Sequence, residues 1–147
     1  MNNNFLYKYF LYKDLIINNN LIGGKKIKKI KRMNNYSKSL SEPWFSLIKL
    51  GLKTVEGRLD MGEFSKFEIN DIIEWTNDNF NKRRIRTKIT NITKYKTFED
   101  YLKNKGIDNC LPGIDNIEDG LSVYYKYYKK KDEEQYGIIA IEFEIIN

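Results

Sequence analysis

Within Gly51-Leu52-Lys53-Thr54-Val55-Glu56-Gly57-Arg58 the chain places an ammonium, a carboxylate and a guanidinium close together. Lys53, Glu56 and Arg58 carry two positive charges and one negative. The surplus positive charge suits a phosphate, a carboxylate or a developing oxyanion. Glutamate beside lysine can also accept a proton, and in a cleft of low dielectric the two groups shift one another's pKa. A purely structural reading stands beside the chemical one. The three groups can form an ion network that fixes the strand and neutralises itself, adding little net stability.

The flanking sequence says how these groups are held. Pro43-Trp44-Phe45-Ser46-Leu47-Ile48-Lys49-Leu50 reads as an apolar helix with Trp44, Leu47 and Ile48 on its core face. Ser41 is its expected cap, and Pro43 near the first turn loses no needed donor. Gly51 closes it, because glycine accepts the left-handed conformation that ends a helix. The strand expected from Lys53 to Leu59 puts Thr54, Glu56 and Arg58 on one face and Val55 on the other.

Tyr36 to Leu40 reads as a short first strand, and Asn70-Asp71 as a turn before a strand that reaches Trp75. Polar residues 77–82 lead into a strand over Arg84 to Thr93, where Ile85, Thr87 and Ile89 alternate with Arg84, Arg86 and Lys88. That cationic row can follow a phosphate backbone or form a solvated face, and both readings stay open. Thr97 caps a second helix, and a third runs from Ile117 to Tyr128 with Ile117, Leu121, Tyr124, Tyr125 and Tyr128 at helical steps. Lys129 to Glu134 reads as a charged connector. The last strand, Gly137 to Ile146, puts Ile139, Ile141, Phe143 and Ile145 on one face. Mostly antiparallel strands with about three helices among them make an α+β domain.

The order G-x-K-x-x-E-x-R after a Pro-aromatic helix, then Leu111-Pro112-Gly113, then the closing Tyr136-Gly137 strand, resembles the ASCH domain family, a branch of the PUA-like superfamily. The resemblance runs from about Tyr36 to Ile146 and implies a small β-barrel with packed helices. It also implies a ligand cleft around Lys53, Glu56 and Arg58. Tyr124 joins them, because the resembling families set a tyrosine of this helix beside the lysine. RNA or a modified nucleotide is the implied partner, with no metal and no cofactor. Trp44 and Tyr124 then offer rings for a base, and Ser39 and Ser41 hydroxyls to donate, although each also fits a core, strand-end or cap role. The alternative that the resemblance allows is a metal-independent hydrolase of RNA or of N4-acylcytidine, using Lys53 and Glu56 as catalytic pair. In the amidohydrolase subgroup a threonine nucleophile stands where this chain has Glu56. Thr54 is out of register for that role. A third reading is an interaction domain with a vestigial site.

Composition limits the chemistry further. There is no histidine, so a Ser-His-Asp triad, a Cys-His pair and a histidine zinc site are excluded. The single cysteine, Cys110, allows no internal disulfide, reads as a small structural residue, and fits a reducing, intracellular setting. The net charge of +6 is uneven. Residues 1–32 hold eight basic residues and one acid, whereas 33–147 hold eighteen bases and nineteen acids. The domain as a whole therefore has no general field for nucleic acid, and phosphate binding there must come from a local patch.

Residues 1–32 read as a basic, disordered extension ahead of a domain over 33–147. Its apolar part is interrupted by Lys8, Lys13 and Asp14, so neither a membrane span nor a secretory signal is expected. The run Lys25 to Arg32 reads as a nucleic-acid arm, a localisation signal, a lipid anchor or a solvated tail. A start of translation at Met33 would leave it out altogether. Nothing in the sequence sets the oligomeric state.

Overall fold

The structure is a computed structural model that describes residues 33–146. The expected N-terminal extension lies outside the described residues. Alternation over β4 (Arg84–Tyr95) frames the domain: Ile85, Thr87 and Ile89 are buried, and Arg84 and Arg86 exposed. The other strands are β1 (Asn35–Leu40), β2 (Val55–Leu59), β3 (Ile72–Asn77) and β5 (Ile138–Ile146). They form one sheet in the order β1-β3-β4-β5-β2. β1 and β3 are parallel, and the remaining pairings are antiparallel. A register shift between Ile89 and Asn91 interrupts the β4–β5 ladder; such irregularities bend a strand and increase its twist. The sheet curls into a half-barrel whose outer strands, β1 and β2, approach without pairing. Arg58 Nη2 of β2 reaches the carbonyl oxygen of Ser39 in β1 at 3.5 Å.

Five helices pack on this sheet among the described residues, more than the three expected: α1 (Trp44–Lys49), α2 (Phe98–Lys105), α3 (Ile107–Cys110), α4 (Ile117–Tyr125) and α5 (Lys130–Tyr136). Gly51 closes α1 at φ +74°, as its sequence position requires. The cap of α1 differs from expectation. Ser41 supplies only its backbone oxygen, to Phe45 N at 3.0 Å, while the Glu42 carboxylate accepts from Ser46 N and Oγ at 3.2 and 2.9 Å. Phe45 and Ile48 carry the core face, and Trp44 and Leu47 are half-buried. Thr97 caps α2 by accepting from Asp100 N at 3.0 Å, and Asn116 caps α4 by accepting from Asp119 N at 2.9 Å.

The charged stretch expected to be a connector is α5, and α4 stops at Tyr125 rather than Tyr128. Helix α5 has no broad apolar stripe. Its buried contact is Glu133, which accepts from Phe98 N at 2.9 Å and from the Tyr125 hydroxyl at 2.7 Å. One carboxylate thus ties α5 to the start of α2 and the end of α4.

β5 is covered on both sides along its first half. Ile139, Ile141 and Phe143 join Ile73, Trp75 and Ile89 in one cluster. Ile138 and Ala140 join Phe98, Tyr101, Leu102 and Tyr124 in the other. Fully burying each large apolar side chain contributes roughly 1.5–3 kcal/mol. Ile145, expected on the inner face, is 45 % exposed near the strand's end. Trp44 packs against both clusters, so its indole stands at their junction.

Candidate functional site

β2 begins at Val55, which frees Lys53 and Thr54 from its alternation. After the Gly51 turn, Lys53 N donates to Leu47 O at 3.1 Å and Thr54 N to Asn109 O at 3.0 Å. The two side chains then diverge. Thr54 is exposed beside Asn104, Lys105, Asn109 and Glu142, so the shared face expected for Thr54, Glu56 and Arg58 does not form. Lys53 turns inward to the side occupied by Glu56.

The Lys53 side chain is 1 % exposed, and its Nζ lies 2.9 Å from Glu56 Oε2. The same nitrogen donates to Val55 O at 2.9 Å and to Cys110 O. An ammonium has three N–H groups, and here each has an acceptor. Glu56 Oε1 accepts from Arg58 Nε at 2.7 Å, so both carboxylate oxygens are held by cations. Burial opposes the charge on Glu56, but Lys53 and Arg58 outweigh it and hold the carboxyl below the usual range. Burial likewise opposes the Arg58 charge, and Glu56 and Tyr128 outweigh it, raising its pKa further. Cys110 is buried, and burial pushes its thiol up. Its contribution here is the backbone carbonyl that anchors Lys53.

Lys53, Glu56 and Arg58 line a cleft of about 160 Å³ together with Ser39, Trp44 and Tyr124. It opens at the unpaired seam between β1 and β2. Ser41 joins the wall before α1, Asp78 from the β3–β4 hairpin, and Tyr127 and Tyr128 from the turn after α4. Tyr124 is buried, stacked on Phe98 with centroids 4.2 Å apart, and its hydroxyl meets that of Tyr101 at 3.2 Å. Burial, then Glu56, pushes the Tyr124 phenol well above its ordinary pKa, so it is neutral. A cavity of about 150 Å³ accommodates a benzene ring. This cleft is therefore sized for one planar ring, with aromatic walls and an anion-cation pair inside.

The cationic row of β4 stands apart from this cleft, since neither Arg84, Arg86 nor Lys88 lines it. Arg84 is paired with Glu74 and Lys88 with Glu144, each at 2.9 Å, while Arg86 is exposed near Tyr36 and Glu74. Asp78 and Val123, which the sequence does not mark, also line the cleft, as does Leu111, which the sequence marks only within Leu111-Pro112-Gly113 and not as a site residue. Only Gly57 had a usable signal, a glycine inside a strand. A Cβ there would lie 2.6 Å from the Tyr101 ring, so the glycine lets that ring pack under the cleft.

The sequence profile of the ASCH domain matches residues 39–147. The chain belongs to the ASCH domain family. Among solved structures, this ASCH chain is similar to the hypothetical protein PH0355, with 35 % identity and a TM-score of 0.69, over 76 % of this chain and 99 % of that one. It is also similar to PF0455 from Pyrococcus furiosus, at 31 % identity and TM-score 0.63, over 77 % and 98 %. The ASCH domain from Lactobacillus crispatus shares the fold at 13 % identity and TM-score 0.57, over 94 % and 92 %. No protein of curated function matches the chain. Among the described residues no helix is long and apolar enough to cross a membrane, and no group of three metal-ligating side chains occurs.

Proposed function

We propose that the cleft binds a nucleotide, either a base displaced from RNA or a modified nucleoside. The base lies against Trp44 and the tyrosines, its polar edge meets Glu56 and Arg58, and Arg58 and the Ser39 and Ser41 hydroxyls serve the sugar-phosphate. The observation that carries this reading is the Glu56–Arg58 pair set in an aromatic cleft of about 160 Å³. Carboxylate and guanidinium together offer an acceptor beside donors, which matches the mixed edge of a nucleobase. The β4 row, in which Arg86 has no ion pair among the described residues, is a second place for an RNA backbone.

The geometry favours binding over hydrolysis. A catalytic Lys53 would need an N–H to spare for a developing anion, and all three are engaged. A general base works best with its pKa near the operating pH, whereas Glu56 is held below the ordinary carboxylate range.

The test is calorimetry with the four nucleoside monophosphates and N4-acetylcytidine, with product analysis in chelator alongside. The expected result is saturable binding without turnover. Arg58→Ala loses hydrogen bonds to charge, each contributing about 1.5–3 kcal/mol, or roughly 10- to 150-fold in affinity. Absence of heat with every ligand refutes the reading. Product formation that disappears in Lys53→Ala replaces it with the hydrolase.

A further inference from the structure

Tyr127 and Tyr128 follow α4 directly, and both line the cleft. Their surroundings differ. Tyr128 stacks on Phe98 at 5.4 Å and packs on the second core cluster. Tyr127 belongs to neither cluster and is 63 % exposed. Its neighbours in the chain include Lys126, Lys129, Lys130 and Lys131, all exposed. Among the described residues no acidic group forms an ion pair with any of the four, whereas Lys38, Lys88, Lys94 and Lys105 each have a carboxylate partner. Of the acids that follow, Glu133 is turned inward to Phe98 N and Tyr125. At the rim of the cleft the chain therefore presents an exposed ring, next in sequence to four exposed lysines that outnumber the two acids left beside them, Asp132 and Glu134.

A free mononucleotide leaves this rim idle. Its one phosphate is served by Arg58, and its one base fills a cleft with room for a single ring. Proteins that hold single strands combine a positive track with aromatic rings on which successive bases stack. We infer that the cleft's occupant is one residue of a single-stranded RNA, whose neighbouring base stacks on Tyr127 and whose phosphates run over Lys126, Lys129, Lys130 and Lys131. This inference rests on the nucleotide reading above and names the form in which the nucleotide arrives.

The test uses the full chain, a fluorescein-labelled RNA octamer of random sequence, and the free mononucleotides. Anisotropy is followed over a salt series for the wild type, for Tyr127→Ala, and for the triple variant Lys129→Ala, Lys130→Ala, Lys131→Ala. Each lysine lost from a single-strand contact removes about 0.7 from the salt slope, so the triple variant is shallower by about 2. Loss of one stacking ring weakens octamer binding about 5- to 150-fold. Mononucleotide binding stays as in the wild type for the triple variant, and Tyr127→Ala weakens the octamer more than it weakens the mononucleotides. The basic run of residues 25–32 is common to all three proteins and cancels in the comparison. An unchanged slope in the triple variant, or wild-type octamer affinity in Tyr127→Ala, overturns the inference. Mononucleotides that bind while the octamer binds no tighter overturn it alone. Failure of mononucleotides themselves to bind overturns the cleft reading and this inference with it.

Discussion

Lys53 Nζ lies 2.9 Å from Glu56 Oε2, and the two side chains are only 1 % and 7 % exposed. A buried pair of this kind is hard to break, because the surviving charge is left without its partner. Glu56→Gln takes the counter-charge from Lys53 and Arg58 together, and the expected loss is about 3–5 kcal/mol in urea denaturation. Lys53→Met leaves Glu56 with Arg58 and falls at the lower end. A loss below about 1 kcal/mol for either would mean that the pair does not hold β2 to α3.

Acid should act on the same pair. The folded pKa of Glu56 lies below its ordinary value of 4.5, so its contribution is fully present above that value and is lost as pH falls through the folded one. Stability should hold from neutral pH to about 5 and decline below. Glu42, lowered chiefly by its bond to Ser46, and Glu142, lowered chiefly by Lys105, act in the same direction. Denaturation curves between pH 7 and pH 3 should therefore be shallower in Glu56→Gln, but not flat. Identical pH slopes for the two proteins would contradict the assignment.

Gly57→Ala is expected to destabilise although it adds one methyl group. The new carbon would sit 2.6 Å from a ring carbon of Tyr101, which is fully buried and shares its hydroxyl with Tyr124. Overpacking of this type costs about 1–3 kcal/mol. Calorimetric unfolding should show a Tm lower by several degrees, and an unchanged Tm would show that Tyr101 can move aside.

Glu133→Ala should cost about 1.5–3 kcal/mol, since both Phe98 N and the Tyr125 hydroxyl lose a charged acceptor. Hydrogen exchange should rise in α5 and at the start of α2. Protection equal to wild type would mean that α5 is held by other contacts.

The elements that sequence reveals here are those whose cause is local. Gly51 ends α1, Thr97 caps α2, and the β4 alternation sorts inside from outside, each within a few residues. Helix α5 was hidden because its seven residues carry no apolar stripe and its anchor is a buried glutamate. The cap of α1 went to Glu42 rather than Ser41 because the longer carboxylate reaches Ser46 from outside the first turn. In the cleft, the place of Thr54 depended on where β2 begins, and the Gly51 turn shifted that start to Val55. The spent donors of Lys53 could not be read from sequence at all, because one acceptor is a carbonyl 57 residues away.

A nucleobase that enters the cleft beside Trp44 must alter tryptophan fluorescence. The chain has two tryptophans. Trp75 is fully buried with its Nε1 bonded to Thr87 at 2.9 Å, so only Trp44 faces the cleft. Titration with nucleoside monophosphates should quench wild-type emission saturably, and Trp44→Phe should lose the quench while calorimetry still records binding. No quench by any nucleotide up to saturating concentrations, or an equal quench in Trp44→Phe, would mean that no base sits against Trp44.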